Sequence, residues 1–161
     1  MKIINQITKI IEKIITVLFI GMTIITFIQV VSRYIFGVSF FWAEEIGRFS
    51  MIWIAFLGAA IGVSQGAHTR IDFFINLLPK NIKKWVEVLN NVICLIFVIF
   101  LIYNSIPIIQ ISINNMSPGL NIPMSVVYSS LFISGLLMLI YFPIRIYEEL
   151  KKDEFGGGQE L

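Results

Sequence analysis

Two adjacent carboxylates and an arginine stand at the start of a long apolar run. Glu44, Glu45 and Arg48 lie in FFWAEEIGRF, which leads directly into SMIWIAFLGAAIGV. A carboxylate there could carry a coupling proton or cation, stabilise the free amides in the first turn of a helix, or pair with the arginine one turn along. Because adjacent helical residues point about 100° apart, one carboxylate is enough for Arg48 or Arg33, and the other must point elsewhere.

The remainder of the sequence carries no catalytic pattern. It has no phosphate-binding glycine loop, no pair of histidines at metal-binding spacing, and no Ser or Cys with a histidine to activate it. The single histidine, His68, falls in a predicted loop rather than in a span, where a haem ligand would lie. We therefore predict that the protein is not an enzyme and binds no cofactor or metal. The net charge of +2 is spread along the flanks of apolar runs, so nucleic-acid binding is not indicated.

The composition is that of a membrane protein. The 161 residues are 57% hydrophobic and 14% charged, and four apolar runs are each long enough to cross a bilayer as a helix. We predict an all-α integral membrane protein with a single four-span domain over residues 1–154 and a flexible tail over 155–161. The predicted spans are 10–31, 44–65, 86–114 and 123–147.

Lysine and arginine are distributed unequally between the two sides of these spans. Ten of the 12 basic residues flank the start of the first span, the second loop and the end of the fourth span. Arg33 and Arg48 border the first loop, and the third loop has no basic residue. Since positive charges near span ends are retained in the cytoplasm, both termini are predicted to be cytoplasmic.

The second loop carries the pattern of a short helix. Thr69 and Asp72 fit a capping box, and apolar residues then recur at helical spacing until Pro79. This pattern indicates an amphipathic helix over 69–78 that lies in the cytoplasmic interface against membrane lipid; a polar hairpin with chance apolar residues is the alternative. The residues predicted to face the membrane interface are Arg70, Lys80, Lys83, Lys84 and Trp85.

Glycines recur every four residues in the second span. Gly58, Gly62 and Gly66 therefore share one helical face. Glycines on one face allow another helix to approach closely, which favours dispersion contacts over contacts with lipid. The sequence leaves open whether that other helix belongs to this chain or to a partner.

The region Ser32–Phe74 resembles the small membrane subunits of tripartite ATP-independent periplasmic (TRAP) transporters, the DctQ-like family. The four-span pattern extends the resemblance to the rest of the chain, although the last two spans match only in hydrophobicity and placement. The residues that match the family pattern in order are Ser32, Arg33, Tyr34, Phe36, Gly37, Trp42, Glu44, Glu45, Arg48, Trp53, Leu57, Gly58, His68, Ile71 and Asp72.

The resemblance implies a role in a multi-subunit importer of the bacterial inner membrane. A large elevator-type subunit would hold the sodium and substrate sites, and a periplasmic binding protein would deliver an organic acid such as sialic acid or a C4-dicarboxylate. The small subunit would act as a scaffold and help to dock the binding protein. We then expect Trp42 to anchor at the membrane surface and one of the two glutamates to contact the large subunit. The residues expected to have structural or subunit-interface roles are Arg33, Trp42, Glu44, Glu45, Arg48, Gly58, Gly62 and Gly66.

Two other functions remain as alternatives. A stand-alone small transporter or channel would use Glu44 or Glu45 as its coupling carboxylate. A membrane anchor for a redox enzyme would need haem or quinone ligands. The uncharged middles of all four spans argue against the first alternative, and the lack of histidines in the spans argues against the second.

Overall fold

The described part of the chain forms four long helices. The computed structural model describes residues 2–65 and 80–155, with side chains over 6–65 and 85–147. Each helix contains a segment that is long and apolar enough to cross a membrane. The prediction of an all-α integral membrane protein with four spanning helices is therefore confirmed. The helices are α1 (Lys2–Ile35), α2 (Phe41–Gln65), α3 (Lys80–Ile111) and α4 (Ser125–Phe155).

The first two helices are joined by a tight connection. The amides of Phe36 and Val38 both donate to the Ser32 carbonyl, at 3.0 and 3.4 Å, and so close the end of α1. Between them Gly37 adopts a φ of 67°, in the left-handed region that glycine tolerates best. The chain can therefore reverse within five residues and begin α2 at Phe41.

The helices contact one another chiefly in the order α1, α2, α4, α3. The central pair, α2 and α4, run parallel, because the start of α2 bonds to the loop that precedes α4 and the end of α2 bonds to Arg145 in the later part of α4. One small core joins α2, α3 and α4 around Ala60, Val98 and Phe142, and a second joins α1 to α2 around Ile11 and Leu57. No residue is buried in the most apolar 18-residue segment of α1, so most of that helix is left for lipid or for another protein.

Small residues bring α3 and α4 close together. Ser105, Ser130 and Ser134 are each at most 1% exposed, and the first two hydroxyls donate to carbonyls of their own helices. A Cβ built on Gly135 would lie 2.6 Å from Cγ1 of Ile102, closer than real carbon atoms approach. Small side chains and local hydroxyl bonds are typical of tightly packed membrane helices.

Replacing Gly135 with Ala should destabilise the protein by about 1–3 kcal/mol, because the methyl group overpacks the α3–α4 contact. Thermal unfolding in detergent measures the change. Gly21→Ala is the matched control, since a Cβ at this helical glycine has no atom within 4 Å. Equal melting temperatures for the two variants would contradict the close α3–α4 packing.

Candidate functional site

The carboxylate of Glu45 fastens α2 to the loop between α3 and α4. Glu45 lies near the start of α2 and is only 4% exposed. Its Oε1 accepts a hydrogen bond from the Gly119 amide at 2.9 Å, and its Oε2 accepts one from the Leu120 amide at 2.8 Å. Hydrogen bonds to an ionised carboxylate are stronger than those between neutral groups. One side chain therefore binds two backbone amides 74 and 75 residues along the chain.

The loop over residues 112–124 has a compact backbone of its own, which presents these two amides. Asn121 has a φ of 54°, in the left-handed region that asparagine tolerates better than most residues. The loop contains no Lys, Arg, Asp or Glu. Its backbone bonds include Ser117 N to Ile122 O at 2.9 Å, Asn121 N to Ser117 O at 3.0 Å and Met124 N to Asn115 O at 2.8 Å, and Met116 forms an antiparallel bridge with Pro123.

The loop approaches α2 closely at a glycine. A Cβ built on Gly119 would lie 3.0 Å from Cδ of Glu45 and 3.2 Å from the carbonyl carbon of Phe41. Since the Phe41 atom belongs to the backbone, it cannot rotate away as a side chain could. Gly119 therefore lets the loop approach both Glu45 and the first turn of α2.

The other residues expected near Glu45 are placed differently. The carboxylate of Glu45 accepts hydrogen bonds from loop amides, and Arg48 attracts it electrostatically. The expected pairing of one of the two glutamates with Arg48 or Arg33 stays a prediction. Glu44, Arg48 and Arg33 are all exposed. Trp42 is 44% exposed, and its ring centroid lies 5.8 Å from that of Phe40. Of the described residues that were expected at this end of α2, Glu45 is the one that is buried.

One face of the central helix α2 is not covered by the other described residues of the chain. We call it the open face of α2. Its residues recur at alternating spacings of three and four and so lie on one side of the helix. A Cβ built on Gly58 would meet no atom within 4 Å, so this glycine does not serve packing within the chain. Gly66 lies outside the described residues. The open face consists of Glu44, Arg48, Met51 and Ala55, which are exposed, and Gly58 and Gly62, which are half-buried.

The opposite end of α2 is capped by Arg145 of α4. Its Nε donates to the Val63 carbonyl at 3.3 Å, and its Nη2 donates to the Ser64 carbonyl. The last carbonyls of a helix lack partners within the helix, and positive charge is favourable beside them. In the sequence, Arg145 is one of the ten basic residues that predict the orientation of the spans. Its capping role needs the parallel alignment of α2 and α4, for which the sequence carries no local signal.

Two further polar contacts join α1 to this end of the protein. The Nε2 of Gln65 donates to Oε1 of Glu12 at 2.8 Å, and the hydroxyls of Thr8 and Tyr141 share a hydrogen bond at 3.1 Å. These contacts place the start of α1, the end of α2 and the later part of α4 on the same side of the membrane. The 36–40 connection and the 112–124 loop therefore lie together on the other side.

Most of the residues predicted at the membrane interface have side chains that the structure does not describe. The predicted helix over 69–78, including Arg70, lies outside the described residues. Lys80, Lys83 and Lys84 lie in the first turns of α3, where side chains are not described, and Trp85 is exposed. Phe155 is the last residue of α4, and the rest of the predicted tail lies outside the described residues. The amphipathic helix and the tail therefore remain predictions.

Comparison with known proteins agrees with this architecture. Residues 22–152 match the family described as tripartite ATP-independent periplasmic transporters, DctQ component. Over 117 residues the chain is 31% identical to a Haemophilus influenzae protein named as a TRAP transporter small permease, and the match covers 73% of each chain. It is 34% identical over 103 residues to the C4-dicarboxylate TRAP transporter small permease protein DctQ of Vibrio cholerae, covering 63% of this chain and 44% of that one.

A third relative is much longer than this chain. Over 68 residues the chain is 34% identical to the sialic acid TRAP transporter permease protein SiaT of Haemophilus influenzae. This match covers 42% of this chain but only 11% of SiaT. The family match spans most of the chain, including the Glu45 contact, the open face of α2 and Arg145. With its four spanning helices, this multi-pass membrane protein belongs to the DctQ component family of the tripartite ATP-independent periplasmic transporters.

Proposed function

We propose that this chain is the scaffold subunit of a sodium-driven TRAP transporter that imports organic acids across the bacterial inner membrane. Small subunits of this family assemble with large permease subunits, and the match to part of the longer SiaT chain supports such a partner. The relatives named for C4-dicarboxylates and sialic acid support a carboxylated substrate. The uncharged middles of the spans fit a scaffold better than a carrier, which needs polar groups at the centre of the membrane.

The observation that carries the proposal is the open face of α2. A helix in the middle of a small membrane protein would be expected to use its small residues for internal packing, as Ser130 and Ser134 of α4 do. Gly58 instead faces open space. A helix of the large subunit could approach α2 closely along Ala55, Gly58 and Gly62. Glu44 and Arg48 would then lie at the outer edge of the contact, where polar partners can reach them.

The 112–124 loop is the proposed docking surface for the periplasmic binding protein. Glu45 holds the loop in one conformation, which lowers the entropy cost of binding a partner. Its exposed residues combine amides with apolar side chains, among them Asn114, Asn115 and Met116. Because the loop carries no charge, docking there would depend on shape and hydrogen bonding rather than on ion pairs.

With the proposed orientation, this loop lies in the periplasm and the segment between α2 and α3 lies in the cytoplasm. In a Cys94→Ala background, Asn114→Cys should react with an impermeant thiol reagent on intact cells, and Asn76→Cys should react only after the cells are opened. Asn114 is a better probe than Asn121, because the positive φ of Asn121 disfavours other side chains. The reverse labelling pattern would show that the proposed orientation in the membrane is wrong.

Reconstitution into liposomes tests the scaffold role. The chain alone should carry no sialic acid or C4-dicarboxylate under a sodium gradient, because its described residues offer no charged path through the spans. Uptake should appear when the large subunit and the binding protein are added. Sodium-dependent uptake by the chain alone, lost on Glu44→Gln or Glu45→Gln, would instead support a stand-alone transporter.

A further inference from the structure

A charged feature lies on α1, on the side opposite α2. Ile11 and Ile15 pack towards Leu57 and Ile61 of α2 and define the inward face of α1. Lys9 and Lys13 are one turn apart on the outward face, and both are exposed. With Glu12, Thr16 and Val17 they line a shallow cleft of ≈ 490 Å³.

The same outward face becomes wholly apolar towards the middle of the membrane. Val17, Ile20 and Ile24 follow Lys13 at helical spacing and are 69%, 52% and 53% exposed. A molecule lying along this face would meet two ammonium groups first and then a strip of branched aliphatic side chains. This is the order of groups in an anionic phospholipid, which has a charged phosphate followed by acyl chains.

Hydrogen bonds within the protein engage Glu12 and Thr16, so the two lysines are the charged groups of the cleft that a ligand would meet. The carboxylate of Glu12 accepts from Gln65 at 2.8 Å and is thereby directed towards the end of α2. The hydroxyl of Thr16 donates to the Glu12 carbonyl at 2.8 Å. Lysine binds phosphate as a flexible point charge, and its methylene stem can lie on apolar surface while the ammonium group reaches the headgroup level.

We propose that the outward face of α1 binds one anionic phospholipid of the cytoplasmic leaflet. Its phosphate lies between Lys9 and Lys13, and one acyl chain follows Val17, Ile20 and Ile24. The negative charge of that leaflet complements the two lysines. This lipid site goes beyond the proposed assembly with a large subunit, because it uses the side of α1 turned away from α2. The bound lipid stabilises the position of α1, because α1 packs chiefly against α2.

Native mass spectrometry of the full chain, titrated with phosphatidylglycerol in a zwitterionic detergent, tests the site. The wild type should hold one phosphatidylglycerol molecule. Each basic side chain beside an anionic lipid contributes about fivefold in affinity, so the double variant Lys9→Gln, Lys13→Gln should bind it roughly 25-fold more weakly. The charge-conserving variant Lys9→Arg, Lys13→Arg should bind like the wild type.

Lys151→Gln, Lys152→Gln is the matched control, since it removes two charges from the end of α4 on the same side of the membrane. Binding should be unchanged in this variant. Phosphatidylethanolamine should bind more weakly than phosphatidylglycerol, and glycerol phosphate, which lacks acyl chains, should not displace the lipid. Three results would each overturn the proposed site. They are an equal loss of lipid binding in the two double Gln variants, wild-type lipid binding by Lys9→Gln, Lys13→Gln, and displacement of the lipid by glycerol phosphate.

Discussion

Replacing Glu45 with Gln should release the 112–124 loop, whereas replacing Glu44 with Gln should not. A glutamine side chain offers a single carbonyl oxygen, so one of the two loop amides that Glu45 now binds would lose its acceptor. Losing a charge-assisted hydrogen bond should raise the open population of the loop roughly tenfold or more. Glu44 is exposed, so its substitution is the matched control with the same chemical change.

Limited proteolysis of the loop, followed by binding-protein-dependent uptake, measures both consequences. Cleavage near Leu120 should accelerate in the Glu45→Gln variant, since proteolysis follows the open population when opening is fast. Uptake should fall in the same variant, because the docking surface is no longer held in one conformation. If uptake is lost while the loop stays as resistant as in the wild type, Glu45 is a transport residue and its structural role is wrong.

The sequence was sufficient for the four spanning helices, because each apolar run is long enough to cross the bilayer as a helix. It also placed Gly58 and Gly62 on one face, since their spacing alone decides that. It could not show which of the two adjacent glutamates would be buried. That choice depends on how α2 is rotated against α4, and the rotation is fixed by contacts with residues more than 70 positions away.

Gly119 and Gly135 were not singled out from the sequence, for a related reason. Each lies close to an atom of another segment, Gly119 to Phe41 and Gly135 to Ile102. A signal for the second was present, because Ser130 and Ser134 are small residues four positions apart, as in close-packed membrane helices. No comparable signal marks Gly119 beyond the turn-forming sequence SPGL.

The second large effect should appear at Gly58. A leucine there has room in the isolated chain, since no atom lies within 4 Å of the added Cβ, so the subunit itself should fold normally. In the complex, the same side chain would enter the contact between α2 and a helix of the large subunit. Overpacking costs about 1–3 kcal/mol, which lowers affinity about 5- to 150-fold.

Co-purification of this chain with a tagged large subunit is the most direct test of the proposed assembly. The wild type and Gly21→Leu, which places a leucine at an equally open glycine of α1, should be recovered with the large subunit in a 1:1 complex. Recovery of Gly58→Leu should fall to about a fifth or less, while its own expression and melting temperature stay unchanged. Wild-type recovery of Gly58→Leu, together with loss of the complex in Gly21→Leu, would contradict the account and place the large subunit on α1.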